Sequence, residues 1–439
     1  MITPLVPRVG VLGLCSPLEV GADRAPVVAA QLADLLRQAG GDVVLAEAVD
    51  TADRAAAAGR RLAAAQADAV LLAPTSWCED YLVLDLVEEC AAPLFFWPQP
   101  GMETGALCGT QQHTAALRQL GHRAYACTFG AVDDEDCRRV ALDFLRAAAL
   151  RARLRRARIG IAGHHLTGMT HTAANEFALK RAVGPRVVWL DLPALLAQAA
   201  AVPAADATAR WREVCRCASS TDVSAAAGVD SVQLYNALRA AVTAHGLAAL
   251  TVGCYPQLMG RVCLAASLLA DEGVPLACEG DVHGAIGQYL LQLLTGQPTH
   301  NTDWLDPVDE QRVVFTHCGS GSFALAPARA AVRLASVRLM GQGVCALFPA
   351  RPGPVTLVNL TPSADGYLCG LLEGEAEPTD MVFPGNPVRV RFAPPVKRLL
   401  AWVHETGLGH HWMIGYGHVG AAVRAWAGLA GPGLRLLEP

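Results

Sequence analysis

The sequence predicts an α/β fold: two parallel-sheet units in succession, followed by a β-rich carboxyl third. Three observations carry this. The segments RVGVLGLC, DVVLAEA, DAVLLAP, PLFFWP and RAYACTFG are short and almost wholly apolar, and alternate with longer Ala/Leu/Arg stretches of helical periodicity. Strands apolar on both faces belong to parallel sheets covered on both sides. The same alternation begins again at RIGIAGHH, and after about residue 328 it gives way to short strands separated by Pro/Gly turns.

In order, the helix APVVAAQLADLLRQAG stops at Gly40–Gly41, where glycine ends a helical pattern. The arginine-studded stretch 137–158 reads as one long connecting helix, which places the first boundary near 155 and a first domain over 1–155. The second domain, 156–327, contains RIGIAGHH, RVVWLDL, a helical stretch to about 246, LAALTVGC, VPLACEGD and RVVFTHCG. The third, 328–439, holds GVCALFPA, GPVTLVNLT, GYLCGLLEG and NPVRVRFA, spaced as in an antiparallel barrel or sandwich, then HHWMIGYGH, a helix and a last strand LRLLE.

Composition bounds the function. A chain of 439 residues that is 52% hydrophobic and 17% charged folds, and a net charge of −5 offers no basic field for nucleic acid or an anionic membrane. No apolar run reaches the roughly 20 residues of a spanning helix. The amino terminus lacks the pattern of a secretory signal, and the 14 cysteines include no CxxC pair, so reduced thiols and a cytoplasmic location are expected.

The densest polar constellation lies between 278 and 318. Glu279 follows VPLAC and precedes a helix, at the carboxyl end of a strand where open α/β sheets place ligands. Asp281 reads as the N-cap of that helix. Asp303 comes after the helix and the turn QPTHNTD, and one βαβ-type excursion returns it to the same sheet edge. His317 ends another strand, before a GSGS loop; His410, His411 and His418 follow far downstream. Carboxylates and imidazoles from several strand ends suit a divalent metal of the Mn, Mg, Fe or Zn kind. His164, His165 and His171 read as core histidines, and Cys78 as a packed thiol. GSGS lacks the lysine of a phosphate loop.

CYPQLMGRVCLAASLLADEGVPLACEGDVHGAIGQYLLQLLTGQPTHNTDWLD, then VVFTHCGSGSF and GLGHHWMIGYGH, resemble the L-fucose isomerase/L-arabinose isomerase superfamily over roughly the second half of the chain. The resemblance rests on a Cys-aromatic-Pro segment, a C-E-x-D strand end, a Leu-Thr-Gly-x-Pro turn followed by Asp, an H-C-G, and a late His before an aliphatic-Tyr stretch. It implies two Rossmann-like domains with a β-barrel-like carboxyl domain, and a manganese-dependent aldose–ketose isomerase acting on a pentose, hexose or deoxyhexose. Glu279 and Asp303 would be catalytic carboxylates and, with His411, metal ligands. His410 is the alternative late histidine, and His317 either a further ligand or a group bonded to one. Gln257, Trp304, Ser320, Trp412 and Tyr416 flank the motifs as candidate sugar contacts. The family's active sites lie near subunit contacts, which implies a homo-oligomer. A non-enzymatic sugar-binding or sensor protein and a metal-dependent epimerase or hydrolase are the competing readings.

Overall fold

The alternation of apolar strands and helices has the expected consequence in the computed structural model, which describes residues 2 and 4–439. The chain forms two units, Leu5–Arg153 with Ala421–Ala430, and Leu154–Gly420 with Gly431–Pro439. In the first, β1 (Arg8–Leu14), β2 (Asp42–Val49), β3 (Ala69–Pro74), β4 (Leu94–Phe96) and β5 (Tyr125–Cys127) make a wholly parallel sheet in the order β2-β1-β3-β4-β5. β3 and β4 are buried along their whole length, as their unbroken apolar runs require. Flanking helices supply apolar stripes such as Val28, Leu32 and Leu36 of Ala25–Gln38.

The second unit opens with another parallel sheet. Its strands are β6 (Arg158–Ala162), β7 (Arg186–Leu190), β9 (Ala249–Val252) and β10 (Leu276–Ala277), in the order β10-β9-β6-β7; β8 (Ser220–Asp222) pairs elsewhere. The chain then passes through the helix Val282–Thr295 into an antiparallel sheet. Here β11 (Thr299–Pro307), β12 (Arg312–Thr316), β15 (Gly353–Ser363), β16 (Gly366–Glu377), β17 (Val388–Arg391) and β18 (His411–Tyr416) are ordered β15-β18-β11-β12-β17-β16. A further β15–β16 pairing closes these six strands into a barrel. β19 (Leu434–Leu437) adds to β16 in parallel, and β13 (Arg333–Ala335) with β14 (Cys345–Leu347) joins β8 in a small separate sheet.

Two segments differ from the sequence reading. RVVFT was expected in the second parallel sheet, but as β12 it is an antiparallel barrel strand between β11 and β17. THNTD was expected as a turn, but it is the start of β11. Its polar composition hides a strand in which Thr299 to Thr302 are all buried and pair with β18, while Asp303 pairs with both β18 and β12.

The helix Val282–Thr295 lies against β9 of the parallel sheet and against β11, β15 and β18 of the barrel. Gly284 and Gly287 let it approach: a Cβ at either would stand 3.0 Å from the Met413 side chain on β18. No helix among the described residues is long and apolar enough to cross a membrane, and the 14 cysteines are all free thiols.

His300 on β11 gives the barrel a pH dependence. Burial, aided by the Arg351 charge, lowers its pKa to about 4, against about 6.5 in an unfolded chain. The unfolded state therefore binds the extra proton first, and the stability from keeping this ring neutral is complete above about pH 6.5 and lost as the pH falls towards 4. The loss amounts to about 3 kcal/mol. His300 Nε2 has no hydrogen-bond partner, so His300→Phe forfeits no bond there. Urea denaturation should show a flatter stability curve between pH 4 and 6.5 for His300→Phe; an unchanged slope would contradict this origin.

Candidate active site

Glu279 follows the short strand β10 in a tight turn, Cys278–Asp281, closed by Asp281 N donating to Cys278 O at 3.1 Å. Its two central residues are left-handed, Glu279 at φ +64° and Gly280 at +73°. A non-glycine residue in that region costs about 1–2 kcal/mol. Surrounding bonds hold it there: Gly280 N donates to Val252 O at 3.0 Å, Leu166 N to Glu279 O at 3.0 Å, and Thr251 Oγ1 to Ala277 O at 2.9 Å. A strained residue of this kind persists only where the surrounding structure over-determines it, as these bonds do here.

Asp303 comes from the barrel. On β11 it stands directly opposite His411 of β18 and Thr316 of β12, so both side chains share one face with cross-strand contact guaranteed by register. His317 follows Thr316, and His410 precedes His411 at the strand end. Asn359 of β15 pins that end by donating to Gly409 O at 2.8 Å and to His411 O at 2.7 Å.

These elements bring five of the sequence-predicted residues together. His411 Nε2 lies 3.3 Å from Glu279 Oε2 and 3.5 Å from Asp303 Oδ1. Asp303 is also 3.9 Å from both His317 Nε2 and His410 Nε2. One ligand atom each from Glu279, His317 and His411 lie within 4.8 Å of one another, and the same holds for Asp303, His410 and His411. Despite these approaches, His411 Nε2 and Asp303 Oδ1 are buried without a hydrogen-bond partner. The two triplets share His411, which places Glu279 on one side of its Nε2 and Asp303 on the other. Separations near 3.3–3.5 Å are those of adjacent ligands about 2.0–2.3 Å from one ion, so the donors of either triplet could hold a divalent metal.

The electrostatics agree. Burial raises the Glu279 pKa, but nearby His411 and the charges of His317 and His410 outweigh it and hold the carboxyl below its ordinary value. Burial likewise lowers His411, yet Asp281, Glu279 and Asp303 raise it to about 9. His317, also opposed by burial, is raised well above its usual value by the Asp303 charge, Cys318 and Glu279.

Sequence reasoning assigned Asp281 to capping alone. It is that cap, accepting from His283 N at 2.9 Å through Oδ1, but its Oδ2 also lies 2.8 Å from His411 Nδ1. Asn359 was missed entirely; its signal, an Asn inside an apolar strand, carries no motif.

The aromatic candidates are corrected. Strand alternation turns Trp304 and Trp412 to the face opposite Asp303 and His411. Trp412 is fully buried against Trp304 and Trp402, and Trp304 stacks on Phe392. Tyr416, at the far end of β18, is buried in the barrel core and donates to Arg351 O at 2.7 Å. These three pack the barrel and do not face the cluster. Ser320 Oγ lies 3.7 Å from Cys278 Sγ, beside the turn, and Gln257 is exposed. His418 is on the surface, 3.2 Å from Glu375.

No protein-family model matches the chain. Curated relatives do. The sulfoquinovose isomerase of Priestia aryabhattai is 24% identical over 368 residues, 80% of this chain and 81% of the relative. That of Alkalicoccus urumqiensis is 24% identical over 81% and 83% of the two chains, and that of Clostridium sp. (strain MSTE9) is 25% identical over 75% and 77%. The similarity supports an isomerase and weighs against a non-enzymatic binder.

The turn supplies a test of its own. A Cβ at Gly280 would stand 2.3 Å from the backbone oxygen of His164, besides the cost of positive φ. Gly280→Ala should destabilise the second unit by about 2–5 kcal/mol in urea denaturation, because no side-chain rotation relieves a clash with backbone. A change below about 0.5 kcal/mol, the usual range for neutral surface sites, would contradict the packing described.

Proposed function

We propose that this chain is a divalent-metal-dependent aldose–ketose sugar isomerase of the L-fucose/L-arabinose isomerase type, with Glu279, Asp303 and His411 as metal ligands and the two carboxylates as the proton-transfer pair. The observation that carries the reading is the placing of both carboxylates within 3.5 Å of one imidazole nitrogen. The relatives make sulfoquinovose the first substrate to test, with pentoses, hexoses and deoxyhexoses beside it. Manganese is the expected ion, and a cytoplasmic homo-oligomer the expected form.

The chemistry sets the requirements. Moving a carbonyl between C1 and C2 removes a weakly acidic proton beside a carbonyl and develops an enediolate. A bound divalent ion supplies electrostatic stabilisation for the two sugar oxygens that carry the developing charge. The protein must supply a base that is ionised, and Glu279, held below its ordinary pKa, is one. Asp303, from a different sheet and 35% exposed, approaches the same point and is placed to return the proton to the neighbouring carbon. His317, 3.9 Å from Asp303, adds positive charge on that side. A divalent ion would give the buried His411 Nε2 and Asp303 Oδ1 a bonding partner.

Glu279→Gln removes a base while keeping an oxygen donor. Its turnover should fall 10²- to 10⁴-fold, with a smaller change in KM. Product formed in deuterium oxide should carry label at C1 or C2. Undiminished turnover would remove Glu279 from the chemistry, and unlabelled product would indicate a hydride shift instead. His411→Ala should lose manganese first and recover part of its activity when manganese is added in excess; full metal retention would exclude His411 as a ligand.

A further inference from the structure

Asp281 is buried to within 3% of complete enclosure, yet a helix N-cap needs only one oxygen, and a neutral serine or asparagine provides it. Retaining a charge at such depth is costly unless both oxygens are engaged. Both are. Oδ1 takes the cap bond from His283 N and lies 3.4 Å from His283 Nδ1, while Oδ2 takes the 2.8 Å bond from His411 Nδ1, contributed by a strand 130 residues downstream. Behind it, His283 Nε2 is 3.2 Å from the Tyr367 hydroxyl on β16. His283 and Tyr367 are themselves almost wholly buried, so the line Tyr367–His283–Asp281–His411 runs through the interior and ends at the Nε2 that faces Glu279 and Asp303.

We propose that Asp281 is a positioning residue, which fixes the ring orientation and tautomer of His411 so that Nε2 is presented to the metal, and that His283 and Tyr367 hold Asp281 in place. This rests on the reading of His411 as a ligand. The reason is geometric. An ionised carboxylate only accepts, so the imidazole nitrogen facing it must be the donor, and the opposite nitrogen is left to offer its lone pair. A carboxylate bonded to the far side of a metal-binding imidazole also makes the ring a better donor. Capping and positioning are thus combined in one side chain, which ties the first turn of the helix to the end of β18.

The two roles separate in Asp281→Asn. Asparagine keeps the cap oxygen and the volume, but presents an amide N–H to His411 Nδ1, which must then accept; the proton of a neutral ring moves to Nε2, the atom the metal requires. Manganese binding is read directly, from the free-ion EPR signal during titration of the whole metal-depleted protein, with no substrate present. Asp281→Asn should bind manganese 10- to 100-fold more weakly, with unchanged circular dichroism and a kcat within a few-fold of wild type at saturating manganese. Asp281→Ser, which keeps the cap and removes the partner, should behave likewise. Tyr367→Phe deletes a single oxygen and should weaken binding several-fold; it decides the matter if neither Asp281 variant folds. Affinity within twofold of wild type in a folded Asp281 variant, or in Tyr367→Phe where that variant decides, would overturn the proposal and leave Asp281 a cap. A lowered kcat with unchanged affinity would overturn it too. His411→Ala, titrated in parallel, separates the two levels: if it binds manganese as the wild type does, the metal reading itself fails, whereas weakened His411→Ala beside unaffected Asp281→Asn defeats the positioning role alone.

Discussion

Three carboxylates converge on one buried imidazole, and the rest of the second unit is arranged to make that possible. Glu279 and Asp303 approach Nε2 of His411 while Asp281 bonds Nδ1. A charge as deep as that of Asp281 costs several kcal/mol in lost hydration, and that of the mostly buried Glu279 adds to it, unless cationic partners compensate. His411, raised to about 9, and His317 are those partners within the protein. The orphaned His411 Nε2 and Asp303 Oδ1 show that the compensation is incomplete in bonding terms. The divalent cation proposed for this site would complete it.

Meeting that constraint requires residues from two sheets of different kinds. The parallel sheet ends in a turn tight enough to hold Glu279 left-handed, and that turn runs at once into the helix capped by Asp281. The barrel supplies Asp303 and His411 as cross-strand partners, where register fixes their contact without any loop. The opposite face of the same strands carries Trp304 and Trp412, whose packing among Phe315, Phe392 and Trp402 holds the strands rigid. Chemistry on one face and close-packed aromatics on the other follow from the two-residue period of a strand.

That period also explains what the sequence made legible. Apolar runs revealed both parallel sheets, because strands buried on two faces cannot hide their composition. Residues with motif spacing around them, Glu279, Asp303, His317, His410 and His411, could be named in advance and do meet. β11 was concealed because THNTD is polar, and only its pairing with the distant β18 makes it a strand. Trp304 and Trp412 were expected as sugar contacts, but neighbours along a strand lie on opposite faces, and Tyr416, at the far end of β18, falls on the same face as Trp412. Asp281 was half read: its local bond to His283 N is visible in sequence as a cap, whereas its bond to His411 depends on a contact between distant segments.

Glu279, Asp303 and His411 are proposed to hold one divalent ion jointly. Anomalous diffraction from crystals of the protein grown with manganese tests it most directly. The account predicts a single strong peak about 2.0–2.3 Å from a carboxylate oxygen of Glu279, one of Asp303 and Nε2 of His411. A peak elsewhere in the chain, or carboxylates paired only to imidazoles with no ion between them at saturating manganese, would contradict it.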